Sequence, residues 1–231
     1  MRHWNGSGER RGYHHGNLKE ALVEAARRFI AERGLGGFTL VDAARLVGVT
    51  PAALYRHFRG REALVEEVAF RGFKDLAERL GRALRGSGTP LERFTRMGEA
   101  YLTFAEQEPG YYAAMFSARP PEGDAAGAPP PGSGKGPEGD QAFDLLVKGL
   151  EAAFPDGFGS VDPRFLALEV WALSHGIATL AAAGQLPRTP GLPDKFELLR
   201  AGVVALVQGA VARAGAEAPR RRGPWGEPPP R

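Results

Sequence analysis

The stretch Thr39 to Phe58, TLVDAARLVGVTPAALYRHF, leaves the chain few ways to fold. Thr39 is an N-cap residue with Asp42 three positions on, close to a capping box. Leu40, Ala43, Ala44 and Val47 then recur at helical spacing. Gly48 falls where a helix stops and the backbone needs a positive φ. Thr50 and Pro51 restart a helix as N-cap and first-turn proline. Two short helices that cannot bury themselves alone, joined by a tight glycine turn, form a helix-turn-helix signature. The second, Pro51 to Phe58, is predicted to enter the major groove of DNA.

The rest of the 231 residues extends an all-α pattern of about nine helices. Asn17 and Glu20 open a first helix to about Glu32, with Leu18, Leu22, Ala25, Ala26 and Phe29 as its apolar stripe. A long helix runs from about Arg61 to Leu84, its apolar positions at helical spacing. Gly86-Ser87-Gly88 breaks the chain, and Thr89-Pro90-Leu91-Glu92 starts another helix with a full N-terminal signature. Pro109-Gly110 interrupts that helix before the run YYAAMF. Further helices are predicted from about Gln141 to Phe154, from Asp162-Pro163 to Gly184, and from Asp194 with Glu197 as a cap.

Between them, residues 117–141 hold six Pro, six Gly and no aromatic residue. Such a stretch cannot offset its ordering entropy and is expected to be a flexible insert. Residues 1–16 read as a basic arm, in which Arg10, Arg11, Tyr13, His14 and His15 are placed to reach a minor groove or phosphates. Residues 215–231 read as a disordered tail. The domains expected are therefore the arm, a DNA-binding head over 17–60, a helical effector-binding and dimerisation domain over 61–214, and the tail.

Charge supports a polyanionic partner at the head. Residues 1–60 carry ten Lys/Arg against five Asp/Glu, and residues 61–212 carry fifteen against twenty. There is no cysteine, hence no disulfide framework and no thiol-based metal site or nucleophile. No cofactor and no metal site are expected. The N-terminus lacks the apolar core of a signal peptide. The apolar stretch Phe165 to Gly184 contains Glu169 and His175 and reads as a buried helix rather than a span. A soluble, cytoplasmic protein is the expectation.

The segment GFTLVDAARLVGVTPAALYRHFRGREAL resembles the DNA-binding region of TetR-type (tetracycline-repressor-like) transcriptional regulators. The likeness rests on Thr39, Ala44, Gly48-Val49-Thr50, Leu54-Tyr55, His57-Phe58 and Glu62-Ala63-Leu64. It implies phosphate contacts from Tyr55 and His57 on the recognition helix and from Thr39 at the start of the helix before it. Arg61, where the family usually has lysine, would add another. The run PGYYAAMF resembles the family's corresponding segment. Trp171, His175 and Gly176 form a W-x-x-x-H-G pattern similar to a subgroup of the family. The resemblance further implies a homodimer, built through the helices at about 163–184 and 194–214, and a small-molecule effector. The long helix from Arg61 would link head to effector domain.

Base readout falls to the groove-facing positions Thr50, Pro51, Ala52, Ala53 and Arg56, with Val41 on the preceding helix. Arg56 is the one side chain among them able to reach guanine O6 and N7 bidentately. Candidates to line an effector pocket are Phe94, Met97, Tyr101, Phe104, Tyr112, Phe116, Trp171 and His175, with Tyr111 and Met115 close by. Each aromatic taken singly also reads as core, and His175 also reads as a buried histidine satisfied by a carbonyl.

The function expected is a repressor that binds a palindromic operator as a dimer and is released by a small apolar or aromatic effector. The alternative is a helical DNA-binding regulator without such an effector, controlled by a partner protein or by abundance. Catalysis is not expected. Ser174 and His175 are adjacent and point to different faces of a helix, and no Gly-rich phosphate loop, HExxH or nucleophile elbow is present.

Overall fold

The computed structural model describes residues 18–117, 137–186 and 191–215. The arm, the Asn17 cap, residues 118–136 of the insert and the tail beyond Gly215 lie outside the described residues. Within them the chain is all-α, with nine helices and no strand. They are α1 (Leu18–Arg33), α2 (Leu40–Val47), α3 (Pro51–Tyr55), α4 (Arg61–Arg85), α5 (Pro90–Gln107), α6 (Pro109–Ser117), α7 (Pro137–Ala153), α8 (Pro163–Ala182) and α9 (Lys195–Gly215).

The helix ends follow from local chemistry. At α2 the Thr39 hydroxyl accepts from the Asp42 N–H, and the Asp42 carboxylate accepts from the Thr39 N–H, closing a capping box. Gly48 stops the helix at φ 75°, in the left-handed region that costs glycine least. The Thr89 and Glu92 pair does the same work at α5, and Asp162 and Asp194 cap α8 and α9. Two boundaries differ from expectation. The recognition helix α3 ends at Tyr55 rather than Phe58, because the chain must reverse before α4 begins at Arg61. The N–H groups of His57 and Phe58 both return to the Leu54 carbonyl, which turns the Phe58 ring into the core. Helix α7 begins at Pro137, four residues before the predicted start.

Two apolar cores result. The smaller is built from Leu22, Phe29 and Ile30 of α1, Phe38, Ala43 and Ala44, Leu54, Phe58, and Leu64, Val65 and Val68 of α4. The larger joins Phe73, Leu76 and Leu80 of α4 to α5, α6, α7, α8 and α9. Helix α4 therefore runs through both. Helix α6 also bridges them: Ala114 is buried in the smaller core, while Tyr112 and Met115 belong to the larger. Helix α8 is long and apolar enough to cross a membrane by length and composition. Seven of its residues, from Leu166 to Ala178, are buried inside the bundle, so the helix expected to be buried is buried along one side only.

Candidate functional site

The recognition surface is built on short, well-anchored helices. Leu54 and Phe58 are buried and seat α3, which leaves Thr50, Pro51, Ala52, Tyr55, Arg56 and His57 exposed. Ala53 is half-buried. Tyr55 is 59% exposed, so its ring is free of the bundle and available to a ligand outside it. Val41 on α2 is exposed as well. Thr39 sits where the first N–H groups of α2 emerge, a place that suits an anion.

Arg61 does something the sequence did not suggest. Its Nε donates to the Phe38 carbonyl at 2.9 Å, and a terminal nitrogen donates to the Leu35 carbonyl at 2.6 Å. The planar guanidinium thus staples the α1–α2 loop to the start of α4. A lysine, with one nitrogen, cannot hold both carbonyls in that fork.

The larger core holds a cavity of about 170 Å³. Four of the eight candidate pocket residues line it: Phe94, Met97 and Tyr101 from α5, and Trp171 from α8. The others stand elsewhere. Phe104 is fully buried where α5 meets α4, with the Arg79 guanidinium 5.4 Å above its ring, so that face of α5 is taken. Tyr112, Phe116 and His175 form a separate aromatic cluster next to the cavity. The Phe116 and His175 rings lie 4.3 Å apart, and the Tyr112 hydroxyl is 2.8 Å from His175 Nδ1. The Tyr101 hydroxyl reaches toward the same nitrogen at 3.5 Å, which ties the cluster to the cavity wall. Burial pushes the Tyr101 and Tyr112 hydroxyls above the usual tyrosine value and His175 below the usual histidine one.

Sequence reasoning missed one whole wall. Phe196, Leu199, Arg200, Val203 and Val204 of α9 line the cavity, along with Leu146 and Phe154. Their spacing is visible in the sequence, but the family resemblance assigns this helix to the dimer interface. Both roles fit one helix, since Ala201, Ala205, Val211 and Ala212, none of which lines the cavity, are exposed on its outer side. On α8 the exposed positions Phe165, Ala172, Gly176 and Leu180 share one face. That face is apolar, with the small Ala172 and Gly176 between the large Phe165 and Leu180.

Head and larger core are joined by a network of charges. Glu108, just past α5, accepts from Arg27 of α1 at 3.0 Å and from Arg79 of α4 at 3.3 Å. Arg27 also donates twice to Glu24, whose carboxyl is lowered to about 2 chiefly by those hydrogen bonds. Arg79 is held by Asp75 in turn. Two residues on, Gly110 packs against the backbone of α1. A Cβ there would lie 2.1 Å from the Arg27 carbonyl oxygen.

Comparison with known proteins covers both cores. Residues 22–68 match the family model "Bacterial regulatory proteins, tetR family", and residues 94–217 match "Tetracyclin repressor-like, C-terminal domain". The chain is 29% identical over 104 residues to the uncharacterized HTH-type transcriptional regulator YobS of Bacillus subtilis, covering 44% of this chain and 52% of that protein. It is 37% identical over 78 residues to the HTH-type transcriptional repressor KstR2 of Mycolicibacterium smegmatis, covering 33% and 38%. It therefore spans about half or less of these curated relatives. A solved structure of a protein of unknown function from Rhodococcus sp. RHA1 superposes with a TM-score of 0.66 at 33% identity, covering 86% of this chain and 98% of that one.

Proposed function

The chain belongs to the TetR family of bacterial regulatory proteins, and from that premise we propose that it is a transcriptional repressor that binds a palindromic operator as a dimer and is released by a small apolar or aromatic effector. The observation that carries the DNA-binding half is the exposed run Tyr55-Arg56-His57, anchored from beneath by Leu54 and Phe58. In this reading Tyr55, His57 and Thr39 contact phosphates, which set most of the affinity. Arg56 reads a guanine edge, and Thr50, Pro51, Ala52, Ala53 and Val41 line the groove with apolar or small contacts. With so few polar readers, groove shape carries part of the specificity. Arg61 fixes the loop behind the recognition unit through Nε and one terminal nitrogen, and its other terminal nitrogen supplies the further phosphate contact. Such a protein works beside its DNA, in the cytoplasm.

The exposed apolar faces of α8 and α9 support a two-fold interface, four helices in all. Two recognition helices so paired read half-sites about 34 Å apart. The cavity supports an effector over the alternative of control by a partner protein or abundance alone, since that alternative has no use for it. Release is then a population shift. Ligand favours a conformation in which the Glu108–Arg27 and Gly110 contacts hold the head differently, and operator DNA disfavours ligand by the same factor.

Selection of binding sites from a random duplex pool, with purified protein at stated salt, tests this. Enrichment of one pseudo-palindrome is expected. Recovery of nothing above background, with and without cell extract, would overturn the DNA-binding reading.

A further inference from the structure

The cavity's hydrogen-bond inventory constrains what fills it. Ser174 lines it, but its hydroxyl donates to the Val170 carbonyl at 2.8 Å. Thr95 donates to the Leu91 carbonyl at 2.9 Å, and the Tyr101 hydroxyl is directed at His175. The two charged residues of the lining, Glu99 and Arg200, stand at the mouth and pair with each other at 3.1 Å. Trp171 is different. It lines the cavity, is 3% exposed, and its indole N–H has no hydrogen-bond partner. A buried donor left unpaired is costly, and native structures give a reason for each.

The volume sets a second limit. Cavities of about 150 Å³ lined by aliphatic and aromatic side chains stay dry and admit benzene. At about 170 Å³, this one holds a single ring with a short substituent. Charge sets the third. A carboxylate or ammonium on the ligand would have to break the Glu99–Arg200 pair or lie unpaired against Phe94, Met97, Leu146, Val170 and Leu199.

We propose that the cavity binds a neutral, one-ring molecule carrying a single hydrogen-bond acceptor, such as an aryl ketone or ester, whose oxygen takes the free N–H of Trp171. This names the effector class and rests on the effector reading above. The α9 wall of Phe196, Leu199 and Val203 closes around the ring, and the indole, whose nitrogen is covered in this structure, turns to present its N–H to the ligand oxygen.

The test uses acetophenone and its isostere α-methylstyrene, which has the same shape and no carbonyl, with benzoate and benzylamine as charged controls. Affinities are measured for the full chain, for Trp171→Phe and for the cavity-filling Val203→Phe. The acetophenone-to-methylstyrene affinity ratio should fall about tenfold in Trp171→Phe. Both charged probes should bind more weakly than acetophenone, and Val203→Phe should abolish binding of every probe. The carbonyl stretch of bound acetophenone gives a readout that needs no variant. It should lie at lower wavenumber than in a hydrocarbon solvent. An unchanged ratio with an unshifted stretch overturns the class, as does tighter binding of a charged probe or no binding at all. Acetophenone bound as expected, but without effect on operator affinity, leaves the class standing and overturns the effector reading instead.

Discussion

Glu108 and Arg27 stand 81 residues apart in the chain and meet at 3.0 Å, each side chain 22% exposed. The contact joins the end of α5 to the middle of α1, so the head is held by a charge as well as by packing. Glu108→Gln keeps the shape and removes the charge. It should lower stability by about 1 kcal/mol, since the pair is partly screened. For a chain of this size that is a melting-point drop of about 2–4 °C. The drop should shrink when melts are repeated in high salt. A drop independent of salt would mean that packing alone holds the head.

Gly110 and Gly72 give a matched pair of probes for the seat of α6. At Gly110 an added methyl meets the Arg27 backbone carbonyl, which cannot swing away. Gly110→Ala should cost about 3 kcal/mol or move α6 off α1. At Gly72 the new atom meets the Met115 sulfur at 2.7 Å and the Tyr111 Cβ at 3.0 Å. The thioether can turn, so about 1–2 kcal/mol is expected. Chemical denaturation of the two variants decides the order, and the reverse order would place the tight contact elsewhere.

At the recognition surface, Arg56→Ala and Tyr55→Phe should separate readout from anchoring. The first should cost about 1–3 kcal/mol at the preferred operator and relax discrimination at one G·C pair per half-site. The second should weaken all sequences alike, leaving the selected motif unchanged. Identical base preference after Arg56→Ala would remove that residue from the readout.

His175 gives a pH dependence whose sign can be worked out. Burial holds its folded pKa below the ordinary value of about 6.5. Between the two values the unfolded chain carries the extra proton, so stability falls as pH drops below about 6.5. Above that the residue is neutral in both states and adds no slope. Glu24, lowered to about 2 by Arg27, acts in the same direction but only below the ordinary carboxylate value of about 4.3. Urea unfolding at pH 7.5 and 5.5 should show a loss that His175→Gln largely removes. An equal loss in the variant would assign the slope to other groups.

Much of the head was legible because its signals are local. Thr39, Asp42, Gly48, Thr50 and Pro51 each act within four residues, and all behave in the fold as their chemistry predicts. The end of α3 was not legible, because Phe58 continues the helical spacing from Leu54 while the chain has already turned. Arg61 looked like a free cation because the carbonyls it holds lie 23 and 26 residues away. The pocket was half legible for the same reason. Phe94, Met97, Tyr101 and Trp171 stand beside aromatic neighbours that do not line this cavity, and only packing tells Phe104 from Tyr101. The Glu108 network pairs three helices, a relationship that no periodicity encodes.

Helix α5 has the cavity at its middle and a charged clasp just beyond its end, and that arrangement has a mechanical gain. From Met97 to Glu108 the helix rises about 16 Å. A tilt of about 5° at the cavity wall sweeps that far end through about 1.4 Å, several times the slack a hydrogen bond tolerates. In the release proposed above, a guest no larger than a benzene ring would therefore be big enough to unfasten the head.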